Sequence, residues 1–149
     1  MRYRNSTKLC LEFIGSICYY DFVMDERFFC GLEEFNNARF FEAHEILEDL
    51  WHEYREADRT FIQGIIQIAA AYYHVQSYNL KGALSQFAKG SQKLTHFLPV
   101  YKDVSVAHLL DEVRKHAQTL RDSSGVNIET ISYPKIQFAR IAASLHPGS

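Results

Sequence analysis

The stretch TFIQGIIQIAAAYYHVQSYNL, Thr60 to Leu80, contains twenty-one residues without one Asp, Glu, Lys or Arg. As a helix it is long enough to cross a bilayer core of roughly 30 Å, so its reading decides the fold. Gln63, Gln67, His74, Gln76, Ser77 and Asn79 interrupt it. Six amide, imidazole and hydroxyl groups on one lone span are costly in lipid, whereas a helix at the centre of a bundle satisfies them against its neighbours. Ten of the thirteen residues from Phe61 to Tyr73 are apolar and lie almost all round the helix, which predicts the most buried element of a helical bundle. Gly64 within it predicts a close approach of two helices.

Working outward, apolar residues recur at helical spacing from Asp25 onward, and strand-like alternation is hard to find. The spacing predicts five helices, over about 26–36, 38–56, 59–77, 80–97 and 104–121. Asp25 is the candidate N-cap of the first, and Asn36-Asn37 its end. The second carries Phe40, Ala43, Leu47, Leu50, Trp51 and Tyr54 on one stripe. Asn79 caps the fourth and Pro99 stops it, while Ser123-Ser124-Gly125 closes the fifth. Beyond Gly125, Ile128, Ile131, Ile136 and Phe138 around Pro134 predict an extended segment wrapping the bundle. The fold class is therefore all-α, a compact bundle of about five helices with an irregular C-terminal segment, forming one domain over 24–140 with a frayed tail over 141–149. Residues 1–23 are apolar but follow neither period. They read either as an extension of a domain that starts near Met24 or as a segment packed on the bundle.

Composition narrows the function. The chain has 149 residues, 47% hydrophobic and 14% aromatic, enough for one domain with a sizeable core. Sixteen Lys+Arg against eighteen Asp+Glu leave a formal charge of −2, and no basic cluster stands out to hold nucleic acid or an anionic membrane surface. Cys10, Cys18 and Cys30 are odd in number and never spaced C-x-x-C, which points to reduced thiols in a cytosol-like compartment. Arg2, Arg4 and Lys8 ahead of an apolar run imitate a signal peptide, but Glu12 breaks the run and no small-residue cleavage site follows.

The chemistry gathers in FFEAHEILEDLW, Phe40 to Trp51. On a helix His44 and Glu48 are four apart and stack on one face, with Trp51 a turn further on. That face is read as the core-facing one, shared with Phe40, Ala43 and Leu47. Glu42, Glu45, Asp49 and Glu53 lie round the remaining faces. On the next helix Gln63, Gln67, Ala70 and His74 form a polar line. An antiparallel hairpin centred near residue 57 or 58 brings Gln67 opposite Glu48 and His74 within about a turn of His44. The expected cluster is His44, Glu48, Gln67 and His74, shielded by Trp51, with Gln63 beside it.

Three readings of that cluster stand open. It is a satisfied polar network that fixes helix register. Or it is a divalent-metal site, with His44, Glu48 and His74 as ligands and Glu45 or another carboxylate as base for hydrolysis; against this, His44-Glu45-x-x-Glu48 is not the two-histidine zincin pattern. Or it is a metal-free pocket whose histidines bind a small ligand or act as acid and base. An interaction module forming homo-oligomers is the alternative to an enzyme, and contiguous exposed apolar surface is its mark. His52 sits about 80° round the helix from His44 and reads as a rim residue, as do His96, His108, His116 and His146 as surface residues. Lys81, Lys89 and Lys93 read as a solvated face.

Phe35-Asn36, Phe40 to Glu45, Glu48 to Trp51, Phe61 to Ala71, His74 and Asn79-x-x-Gly82-Ala83 resemble the signature of the small helical family named domain of unknown function 309. The resemblance covers residues 28–97. It implies an all-α bundle found in bacteria, archaea and plastid-bearing lineages, hence a cytoplasmic or plastid-stromal location, and no established reaction. The residues matching the motif are His44, Glu45, Glu48, Trp51, Gln63, Gln67 and His74. His52 to Glu56 departs from the basic or Gly/Pro-containing loop that the resemblance implies.

Overall fold

Asp25 starts the first helix as its spacing requires: the carboxylate accepts the Arg27 backbone N–H at 2.9 Å, satisfying one of the unpaired donors of the first turn. The computed structural model describes residues 24–122 and 127–139; the expectations for 1–23, for Ser123-Ser124-Gly125 and for the tail lie outside them. Within these, five α-helices follow in order: α1 (Glu26–Asn36), α2 (Phe40–Trp51), α3 (Glu56–Gln76), α4 (Leu80–Leu94) and α5 (Val106–Asp122). No helix among the described residues is long and apolar enough to cross a membrane. One apolar core runs from Met24 to Phe138, and Thr60–Leu80 is its hub. Phe61, Ile62, Ile65, Ile68, Ala69, Ala71 and Tyr72 are fully buried on α3.

The helices approach closely where side chains vanish. A Cβ on Gly90 of α4 would stand 2.8 Å from Ile68 Cδ1 and 3.0 Å from the Gly64 carbonyl oxygen, and one on Gly64 would stand 2.7 Å from Leu94 Cδ2. Gly64 and Gly90 therefore let α3 and α4 touch nearly backbone to backbone. The α1 and α3 ends are closed alike: Ala38 and Tyr78, both at φ 58°, follow their helices, and the next N–H groups return to Glu34 and His74 carbonyls. These are Schellman closures built without glycine.

The expected pattern changes most at the end of the second helix and ahead of the fifth. The second helix stops at Trp51 and not near residue 56. The turn after it is held from α1, where the Tyr54 hydroxyl accepts the Asp25 N–H at 2.9 Å and Glu53 takes a two-pronged hydrogen bond from Arg27 at 2.9 and 2.6 Å. Ahead of α5 lies a small antiparallel hairpin, β1 (Val100–Tyr101) with β2 (Val104–Ser105), that the spacing does not reveal. Lys102 and Asp103 turn it with φ of 48° and 64°, the two positive values of a type I′ turn.

The segment from Asn127 wraps the bundle as expected. Asn36 pairs with the backbone of Ile136 on both sides, donating to its carbonyl at 3.1 Å and accepting its N–H at 2.7 Å. Phe138 bridges to Val104 of the hairpin.

Candidate functional site

Along α2, Phe40, Ala43, Leu47 and Leu50 are buried. His44, Glu48 and Trp51 are each one residue further on, so they point about 100° away from that stripe. They reach its edge and not the interior. His44 is 31% exposed and Glu48 54%, with Nδ1 and Oε2 3.7 Å apart. The pair expected in the core thus opens onto the surface, because a three-and-four pattern leaves the flank of a helix undecided between core and solvent.

The register expected for the hairpin is close to the one observed. Phe41 meets Tyr73, their rings 5.4 Å apart, and Gln76 donates to the Ala38 carbonyl at 2.9 Å. In this register His44, Glu48 and Trp51 of α2 line one cleft of about 220 Å³ with Gln63, Ile66, Gln67 and Ala70 of α3, and Gln86 of α4. Four of the polar residues expected together and the shielding Trp51 are therefore neighbours. His74 stands apart. It lies a turn beyond Ala70, and its Nδ1 is 3.2 Å from the Asn79 side-chain amide, at the end of α3. Glu45 is half-buried on α2 but does not line the cleft. Among the described residues no three His, Cys, Asp or Glu side chains are grouped to hold a metal ion, and His44 with Glu48 supplies two.

The cleft's edges include residues that the spacing did not single out. Gln86 comes from α4, and Lys93, expected on a solvated face, donates from Nζ to Gln67 Oε1 at 3.1 Å. The Arg59 guanidinium carbon lies 3.9 Å from the centre of the Trp51 ring, a cation–π contact. The Trp51 indole nitrogen is buried without a hydrogen-bond partner among the described residues. Arg59 was legible as the residue one turn before Gln63 on the polar line. Lys93 and Gln86, seven apart, share a face of α4, and only the packing of α4 on α3 directs that face toward Gln67.

A second polar contact lies on the far side of the bundle. His116, expected at the surface, is half-buried on α5, and its Nδ1 is 2.8 Å from the hydroxyl of the fully buried Tyr72. Burial pushes the Tyr72 hydroxyl well above its usual pKa and pushes His116 below the ordinary imidazole value, with Glu112 and a hydrogen bond to the Ser132 backbone opposing the latter. Neutral His116 therefore accepts from Tyr72 and ties α3 to α5 and the wrapping segment. Near the hairpin, the Tyr101 hydroxyl donates to Asp58 Oδ1 at 2.5 Å, and burial with this bond pushes it up to about 12.

Compared with known proteins, residues 28–86 match the family model described as Domain of unknown function (DUF309). A search of curated proteins finds no match.

Proposed function

We infer, for a chain that carries a DUF309 domain over residues 28–86, that the domain binds a small polar molecule in the cleft between α2, α3 and α4. The observation that carries this is the convergence of His44, Glu48, Gln63, Gln67 and Gln86 from three helices on one cleft. A network that only fixes register draws its energy from burial. An ion pair as open as His44 and Glu48 contributes about 0–1 kcal/mol, so stability is a poor reason for the arrangement. At about 220 Å³ the cleft lies below the roughly 300–1,000 Å³ range of pockets for drug-sized ligands, which favours a compact metabolite-sized molecule. Five donor- or acceptor-bearing side chains and one indole face favour a ligand with several polar groups. His44, oriented by Glu48, is the group available for proton transfer if the bound molecule reacts. Metal-dependent hydrolysis through His44, Glu48 and His74 has the weaker support, since His74 is engaged with Asn79.

A screen of small polar compounds followed by ¹H–¹⁵N correlation spectra of the full chain tests the reading. Hits should perturb the Trp51 indole N–H and the side-chain amides of Gln63, Gln67 and Gln86 together. Perturbations confined to other surfaces contradict it. Divalent zinc or manganese that shifts His44 and His74 together would favour the metal reading instead.

One observation favours a second reading, the homo-oligomeric module. Phe41 and Tyr73 are 44% and 41% exposed and in contact, with Tyr78 exposed in the turn between α3 and α4. Light scattering of the full chain and of Phe41→Ser tests it: a dimer that the substitution splits supports an interface there. The charge balance supports a protein without a nucleic-acid partner, and the cysteine usage supports a cytosol-like compartment.

A further inference from the structure

The ligand's chemistry is legible at the cleft's rim, and this step rests on the binding reading above. Several cations of the bundle are held by carboxylates. Arg27 sits on Asp25 and Glu53, Arg39 on the buried Glu34, and Arg114 and Lys115 on Asp111. The two cations that touch the cleft's lining, Arg59 on Trp51 and Lys93 on Gln67, are not so held. Among the described residues, Arg59 has the Trp51 ring as its contact and no carboxylate, and Lys93 gives one hydrogen bond to the neutral Gln67 amide. The lining's single carboxylate, Glu48, faces His44.

Arg59, Gln63 and Gln67 follow one another at four-residue spacing on α3, so Arg59 and the Gln67 that Lys93 contacts leave the helix roughly 12 Å apart along its axis. Arg59 has five N–H donors and none committed to an acid; Lys93 has two beyond the one it gives Gln67. Gln63 and Gln86 also line the cleft. Two positive charges against one carboxylate repel an amine ligand and attract an acid, and their separation suits a molecule with an acidic group toward each end. The contact with the Trp51 ring steadies the Arg59 fork, whose geometry suits a carboxylate or phosphate.

We propose that the cleft binds a small dianion, a dicarboxylate or a phosphorylated acid, held between Arg59 and Lys93, with the glutamine amides hydrogen-bonding its middle. Trp51 is the only tryptophan in the chain, so its emission reports directly on this site.

The test titrates the full chain with glutarate, with 3-phosphoglycerate and with ethylenediamine, followed by Trp51 emission and by calorimetry. Saturable binding of glutarate or 3-phosphoglycerate is expected, and whichever binds tighter identifies the acid. Arg59→Gln and Lys93→Gln should each weaken that binding about tenfold with unchanged melting. Lys115→Gln, on the other side of the bundle, should leave it as it was. Binding of either acid that both cleft variants leave intact overturns the proposal. Binding of ethylenediamine alone, lost in Glu48→Gln, overturns it while the cleft keeps its role as a ligand site. If none of the three probes binds, the dianion proposal falls, and the spectra of the polar-compound screen decide separately whether the cleft binds anything.

Discussion

Two sides of α3, one residue apart in sequence, are built on opposite rules. On the side of Gly64 and Ile68 the helix meets α4 with no side chain between the backbones at Gly90. On the side of Gln63 and Gln67, the polar groups stay half-exposed over a cleft. The first contact leaves no room for a methyl group; the second leaves room for a small molecule. Stability and binding are thus separated by about 100° of rotation on a single helix, and an uncharged stretch of twenty-one residues serves both.

The largest effect should come from the closed side. Gly90→Ala gains up to about 1 kcal/mol of helix propensity, but its Cβ meets the Gly64 carbonyl and Ile68, and overpacking of this kind costs about 1–3 kcal/mol. A net loss of stability in urea denaturation is expected. A gain would mean that the two backbones can part without penalty. The Tyr72→Phe change comes next. It removes the donor to His116 and should cost about 1 kcal/mol, with faster amide exchange in the wrapping segment around Ser132.

The same contact gives a pH dependence. Folding lowers the His116 pKa below the ordinary 6.5, so the unfolded chain binds this proton more readily. Stability from this group is complete above pH 6.5 and is lost as the pH falls through and below it. Melting temperature should therefore drop between pH 7.5 and 5.5, and drop less in His116→Gln. Equal slopes in the two proteins would remove His116 from the explanation.

The bundle itself was open to sequence reading because its signals are local or periodic. Asp25 and Asn36 bound α1 at the expected residues, and the apolar excess of Phe61 to Tyr73 identified the hub. The end of α2 was hidden because Glu53 and Tyr54 continue a helical pattern while their partners, Arg27 and Asp25, are distant in sequence. The hairpin was hidden because two-residue strands have no measurable period and Lys102-Asp103 lacks the Asn-Gly signature of its turn. For the site, the spacing brought His44, Glu48, Gln63, Gln67 and Trp51 together but misjudged their depth, since residues flanking a core stripe are displaced from it by one step of 100°. His74 was assigned to the cluster from the polar line it shares with Gln63 and Gln67 and from axial distance, but it lies past the cleft at the end of α3, against Asn79. Arg59 and Lys93 acquire meaning only through packing, which sets one against Trp51 and the other against Gln67 beside the cleft.

The separation of roles on α3 is tested most directly by the melting of one variant, His44→Ala/Glu48→Ala/Gln63→Ala/Gln67→Ala, against the parent chain at pH 7.5. If the open side serves binding, removing all four side chains should change stability by no more than about 1 kcal/mol, because exposed polar pairs contribute little and alanine favours the helix. If the cluster is instead what holds α2 and α3 in register, each lost partner should cost about 1–3 kcal/mol, and a fall of several kcal/mol would contradict the division drawn above.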